Sequence, residues 1–521
     1  MTDLTKSISL VSLLTILSRF FGLFRDILFF SCFGVSSVGA AFILAFTLPN
    51  LFRRMLGEGT LSSAFIPVYS ETEKNNSIQQ AHLVLNQVLS RLLVFLLLIA
   101  LVISLISYYL SSRNEMGLDE KWIDGLRLNS IIFAYVLFIC LSAIMVGALN
   151  AHGKFFAGAF SPIILNLSMI CCLVFFYFFQ GWRDFELASA LCFSVLFGGI
   201  LQMILPWFQL AKSFRWRWKL NFLSSSGTEK IKSLFFVGIF GAAVGQINIM
   251  ISRLLAYTLE DDGALSYLFI SARLIELPLG VFAISISTVF FPELSRAFTS
   301  QTSKDFKKCF CRGLRLTLAI VIPAAVGLGC LSEMILSVLF QWGHFGSGQV
   351  DVGAEILLIS SCSLPLYATA AYLVKAFHST KDMKIPLRGA IISFIVNVIT
   401  SVWFMQDYGM YGLAWANVCS AFVQVIYLGF EFKKIEKISF FNRDGLSMLP
   451  ILLGSLVMFY VLLFFLQGDY FGKSKLSEIL GLSVMILLGA VSYGFVLILL
   501  KFPEMSHYLK KVMDRGMKEH L

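Results

Sequence analysis

The chain has 521 residues, of which 58% are apolar and 14% charged, and it carries a formal net charge of +10 at pH 7. A mean hydropathy of +0.81 excludes an ordinary water-soluble domain, because most residues would have to be buried away from water. Runs such as 92–107 (LLVFLLLIALVISLIS) do not alternate in polarity, which excludes a transmembrane β-barrel and leaves a helical bundle.

A helix crossing a hydrocarbon core of about 30 Å needs roughly twenty residues. Apolar stretches of that order predict helices near 8–32, 39–55, 89–110, 128–149, 157–180, 187–211 and 233–258. A second set follows near 267–292, 316–340, 353–374, 389–406, 411–430, 447–467 and 477–500. The predicted fold is therefore an all-α polytopic membrane protein of about fourteen transmembrane helices. Its first stretch reads as a helix rather than a cleaved signal, because Arg19, Arg25 and Asp26 interrupt it and no small-residue cleavage site closes it. With the N-terminus inside, the cytoplasmic segments hold 30 of the 41 Lys and Arg residues and the opposite loops hold six. Loops on the inner side are the Lys/Arg-rich ones, so both termini are expected in the cytoplasm. The positive charge reads as topology and attraction to anionic headgroups, not nucleic-acid binding.

The chain repeats itself. Leu48-Pro49 and FIP at 65–67 are followed by Leu277-Pro278 and FFP at 290–292, Arg91 by Arg315, and His152, Lys154 and Pro162 by His378, Lys381 and Pro386. All offsets lie between 224 and 229 residues. Six intervening helices give both copies one orientation, predicting two pseudo-symmetric six-helix lobes, 1–212 and 213–432, with helices thirteen and fourteen and a basic tail in 433–521.

The ten cysteines form no CxxC pair, and HExxH, GxSxG and P-loop patterns are missing from the sequence. No catalytic residue, metal site or cofactor is expected, and the chain reads as a transporter rather than an enzyme. The residues of interest are arginines inside apolar spans, where a charge needs a partner, water or a ligand. Arg19 lies about 16 Å into helix one. Arg19, Gly22 and Asp26 share a face of that helix, with Arg25 on its shoulder, offering one cavity a cation, bare backbone and a carboxylate. Arg273 and Glu276 stand one turn apart before the break at Pro278, while Arg53 and Arg54 close helix two. Arg253 is read as structural, meeting the acidic loop Glu260, Asp261 and Asp262. Mutual neutralisation within these pairs is the alternative to a ligand-binding role. A cavity in which Arg19, Arg25, Arg53 and Arg273 converge would suit a diphosphate, because guanidinium groups match phosphate oxygens in pairs.

SRFFGLFRD (18–26) followed by AFTLPNLFRRMLGEGTLSSAFIPVYSE (45–71) resembles the signature of the MurJ (MviN) family of lipid II flippases. NAHGKFFAGAFSPIILN (150–166), ARLIELPLGVFAISISTVFFPELSR (272–296) and KAFHSTKDMKIP (375–386) extend the resemblance over nearly the whole chain. It implies the fold of the multidrug/oligosaccharidyl-lipid/polysaccharide exporter superfamily, with two lobes forming a V and two extra helices bordering an apolar groove. It also implies a bacterial inner-membrane location, lipid II (the undecaprenyl-pyrophosphate-linked peptidoglycan precursor) as substrate, and contact with membrane lipids and cell-wall synthesis machinery. The family's essential cavity arginines correspond to Arg19, Arg25, Arg53 and Arg273, and its acidic residue in the segment after helix two to Glu58. Asp26 and Glu276 are supporting residues.

Two positions depart from the family pattern. Ala40 and Thr47 stand where several members carry an acidic residue and a lysine. Ser252, with Asn397 and Ser401, stands where some members build a sodium site around an aspartate, so the driving force is open. The mechanism implied is alternating access without covalent chemistry. A flippase for another polyprenyl-linked glycan fits the arginines nearly as well, whereas a cation-coupled drug exporter would need carboxylates in the cavity.

Overall fold

The computed structural model describes residues 3–57, 60–113, 117–299, 303–436, 448–468 and 474–504, and among these every regular element is a helix. The first half contains α1 (Asp3–Phe33), α2 (Ser37–Phe52), α3 (Thr60–Asn75), α4 (Ile78–Ser112), α5 (Glu120–Ile132), α6 (Tyr135–Ala151), α7 (Phe156–Cys172), α8 (Asp184–Phe214) and α9 (Ser226–Thr258). The second half contains α10 (Ala264–Pro278), α11 (Ile284–Thr299), α12 (Ser303–Cys330), α13 (Ser332–Phe340), α14 (Ser347–Ser361), α15 (Ser363–Ser379), α16 (Lys384–Glu436), α17 (Leu449–Leu466) and α18 (Lys475–Leu499).

Nine helices among the described residues are long and apolar enough to cross a membrane, or ten when α5 and α6, bent by 42°, count as one span. The 16-residue α2 is too short for that criterion. α16 holds two apolar stretches joined at Gly409, whose φ of 54° and ψ of −129° lie outside the helical region. A left-handed φ is cheap only for glycine.

The surface pattern is that of a protein dissolved in lipid. Along α4, Leu85, Leu89, Leu96 and Ala100 are buried, while Leu97, Leu98, Leu101, Val102 and Leu105 are exposed. An exposed face of leucines is tolerable where the solvent is hydrocarbon.

Two prolines explain two breaks. Pro49 in α2 precedes a π-turn at Arg53–Gly57, and Pro278 ends α10 just before a π-turn at Leu279–Ala283. A proline cannot donate to the i−4 carbonyl, and π geometry is one way a helix absorbs that defect. The two π-turns lie 226 residues apart at both ends, and the 16-residue helices that follow, α3 and α11, lie 224 apart.

By contacts the chain forms two compact units. The first comprises 1–266 with 342–345, and the second 267–341 with 346–521. α9 belongs to the first unit. Within it, Gln202 is fully buried, accepting from Tyr135 at 3.0 Å and donating to the Ser161 carbonyl at 2.7 Å. Within the second, Phe306, Phe310, Phe377 and Phe432 form an aromatic core, with Phe310 and Phe432 stacked 4.4 Å apart. The last helix, with the residues just after it, is fastened there at both ends. Arg315 of α12 grips Glu504 through Nε at 2.9 and 3.1 Å, and Lys475 of α18 reaches Gln341 at 3.0 Å and Glu478 at 2.8 Å.

Candidate functional site

In the first unit the chemistry is concentrated where α1 packs on α7. Arg25 is 5% exposed and Asp26 is 7% exposed, so both charges are out of water. Burial of this kind is tolerable only with a close partner and satisfied hydrogen bonds. The Arg25 guanidinium folds back on its neighbour, donating from Nε to Asp26 Oδ1 at 3.0 Å. Its Nη1 donates to Asn166 Oδ1 at 3.0 Å and lies 3.9 Å from Met169 Sδ. Asn166 donates in turn to the Ser18 carbonyl at 3.3 Å, so one amide bridges two points of α1 a full seven residues apart. A Cβ at Gly22 would stand 3.5 Å from the Asn166 amide nitrogen, so the bare backbone read from the sequence faces this amide.

Arg19 behaves differently from its helix mate. It is exposed and has no hydrogen-bond or ion-pair partner among the described residues. The shared face read for Arg19 and Asp26 is therefore divided in the structure. Asp26 is buried with Arg25, and Arg19 stays available.

Arg53 opens the first π-turn and is half-buried, while Arg54 is exposed. Glu58 lies outside the described residues. Close by in sequence, Thr47 is buried and donates to the Ile43 carbonyl at 2.6 Å. Its hydroxyl also accepts from Arg253 Nη1 of α9. At the acidic loop, Lys121 lies 3.6 Å from Asp262 and donates to the Leu259 carbonyl at 2.6 Å. Thr47 of α2 thus meets a guanidinium brought from α9.

In the second unit Arg273 donates to Glu276 at 3.3 Å and stacks over the Phe269 ring at 5.3 Å. Its side chain is 38% exposed and that of Glu276 is 52% exposed. This is a loose pair one turn apart, close to the π-turn.

The polar positions on α16 form a neutral knot. Asn397 is fully buried and donates to Asn417 Oδ1 at 3.0 Å and to Ser420 Oγ at 3.4 Å, and Ser401 is buried near by in sequence. No group of three or more His, Cys, Asp or Glu side chains suited to a metal occurs among the described residues.

Sequence reasoning did not assign Asn166 or the pairing of Thr47 with Arg253. A signal existed for each, since both Asn166 and Thr47 are hydrogen-bonding side chains inside otherwise apolar helices.

Residues 29–498 match the family described as "Lipid II flippase MurJ". Relatives described as "Probable lipid II flippase MurJ" include one from Bdellovibrio bacteriovorus, 33% identical over 94% of this chain and 93% of its own length. Another, from Vibrio cholerae, is 32% identical over 82% of each chain. Among solved structures, "Lipid II flippase MurJ, inward closed conformation" superposes with a TM-score of 0.78 at 28% identity, covering 97% of this chain and 99% of that one. An inward-facing multidrug transporter of the MATE family matches at a TM-score of 0.66 and 13% identity over 81% of this chain and 96% of its own. That second likeness is one of fold. With the family matched across nine-tenths of its length, the chain belongs to the MurJ lipid II flippase family of membrane transporters.

Proposed function

We propose that this protein flips lipid II from the cytoplasmic to the outer leaflet of the bacterial inner membrane by alternating access, with both termini in the cytoplasm. The observation that carries the reading is the family match over residues 29–498. The arginines support a cationic site for the pyrophosphate. Arg25 and Arg273 lie about 12 Å and 14 Å, at 1.5 Å per residue, from the ends of α1 and α10 expected to face outward. Arg19 and Arg53 lie deeper, and Arg253 adds a guanidinium beside Thr47. Charge-assisted, paired hydrogen bonds from such groups are the strong way to hold a diphosphate.

Asn166 is a positioning residue in this reading, because it fixes the Arg25 side chain without depending on substrate. Asp26 supports the site by keeping the buried Arg25 guanidinium paired. The π-turns at Arg53–Gly57 and Leu279–Ala283 are the bending points through which the two repeats rock. No covalent step by this chain is involved.

The test is lipid II accessible at the outer face of cells that depend on this protein alone. Wild type is compared with Arg19→Ala and Arg273→Ala at equal membrane abundance. Loss of exposed lipid II in both variants is expected, and undiminished exposure in both would return these arginines to structural roles.

A further inference from the structure

α8 ends at Phe214, and Arg215 takes a left-handed φ of 51°, turning the chain out of the helix. Residues 215–225 then run without regular structure as far as α9. They are held along the start of α4 by polar side chains of that helix. Trp216 Nε1 donates to Asn86 Oδ1 at 3.0 Å, the Asn221 amide to Ser90 Oγ at 2.9 Å, and Ser225 Oγ to Gln87 Oε1 at 2.6 Å. Asn86, Gln87 and Ser90 are all buried, so three costly polar groups are used to fix one strap.

An extended chain sends successive side chains to opposite sides. The sequence Arg215-Trp216-Arg217-Trp218-Lys219 exploits this. Trp216 is buried and Trp218 packs edge-on to Trp207 at 6.3 Å, while Arg215, Arg217 and Lys219 are exposed. None of the three has a carboxylate partner among the described residues. Immediately beyond them Leu220, Phe222 and Leu223 are exposed as well. Cations beside bare apolar side chains match a surface whose outer layer is anionic and whose interior is hydrocarbon.

We propose that residues 215–223 dock on anionic phospholipid, Arg215, Arg217 and Lys219 contacting headgroup phosphates and Leu220, Phe222 and Leu223 entering the acyl region. The strap links α8 to α9, so lipid bound there stiffens that connection. The cytoplasmic side rests on the orientation proposed above, but the test does not depend on orientation or on transport.

Detergent-purified full-length protein is heated with added phosphatidylglycerol or phosphatidylcholine. Wild type is expected to gain several degrees more from phosphatidylglycerol. The Arg215→Gln, Arg217→Gln, Lys219→Gln variant should lose at least half of that increment while unfolding at the wild-type midpoint in phosphatidylcholine. A Lys307→Gln, Lys308→Gln, Arg312→Gln variant, equal in charge change, should keep it. An undiminished increment in the strap variant, or equal loss in the second variant, would overturn the proposal. So would an equal strap-dependent gain from polyglutamate, which would make the surface a protein-docking one. If the strap variant unfolds early in phosphatidylcholine, Leu220→Ser with Leu223→Ser takes its place with the same readout.

Discussion

Two arginine-carboxylate pairs stand in this molecule under opposite conditions. Arg25 and Asp26 are buried and further bound by Asn166, whereas Arg273 and Glu276 are a half-exposed pair at 3.3 Å beside the Phe269 ring. In the first pair, loss of one member strands the other in a low-dielectric interior. In the second, screening and side-chain freedom keep the interaction weak. The contrast teaches that a charged pair can serve as part of the frame at one place and as an adjustable contact at another.

The sharpest way to break the comparison is Arg25→Ala, which leaves the Asp26 carboxylate buried without its nearest cation. A loss of about 3–5 kcal/mol in stability is expected, read as a lower thermal midpoint in detergent, with partial recovery in the Arg25→Ala, Asp26→Asn double variant. Asn166→Ala should cost less, about 1–3 kcal/mol, since one neutral hydrogen-bonding partner of a buried cation is removed. Its transport should fall further than Asn166→Asp at matched abundance, if fixing the Arg25 side chain is what matters. Arg273→Ala should change stability by no more than about 1 kcal/mol and yet abolish lipid II exposure at the outer face. Equal destabilisation by Arg25→Ala and Arg273→Ala would erase the distinction. The smallest effect is expected for Glu276→Gln, within about 0.5 kcal/mol, with lipid II exposure near the wild-type level.

A separate pair in the second unit offers a check on the reasoning with no arginine of the proposed site involved. Arg315 and Glu504 are a mostly buried, doubly bonded ion pair. Glu504→Gln should therefore lower the thermal midpoint clearly, as in the Arg25 case, while Lys434→Gln, which loosens the exposed pair to Glu431, should not.

Much of the architecture was legible from hydropathy alone, because apolar runs near twenty residues have few solutions in a membrane other than helices. Among the described residues the predicted stretches are mostly helical, with breaks at 133–134, 331 and 362 inside three of them and α4 beginning at Ile78 rather than near 89. The early start has a physical cause, since Ser77 caps the helix by accepting from the Gln80 amide, and Asn86, Gln87 and Ser90 find partners in the strap. Hydropathy reads those polar residues as outside the helix. The prolines and the 224–229 offset likewise announced where the helices break, although not that both breaks take π geometry.

The sequence by itself determined that the chain is a helical membrane protein, that arginines stand inside its apolar spans, and which family it resembles, because composition, period and motif are properties of the chain in order. Only the tertiary structure decided that Arg25 rather than Arg19 is paired and buried, that Asn166 holds it, and that Arg253 turns to Thr47 while Lys121 meets Asp262. Helical periodicity gives the direction of a side chain to within a face. Which atoms lie within 3 Å of it depends on residues about 140 to 206 positions away, brought there by packing.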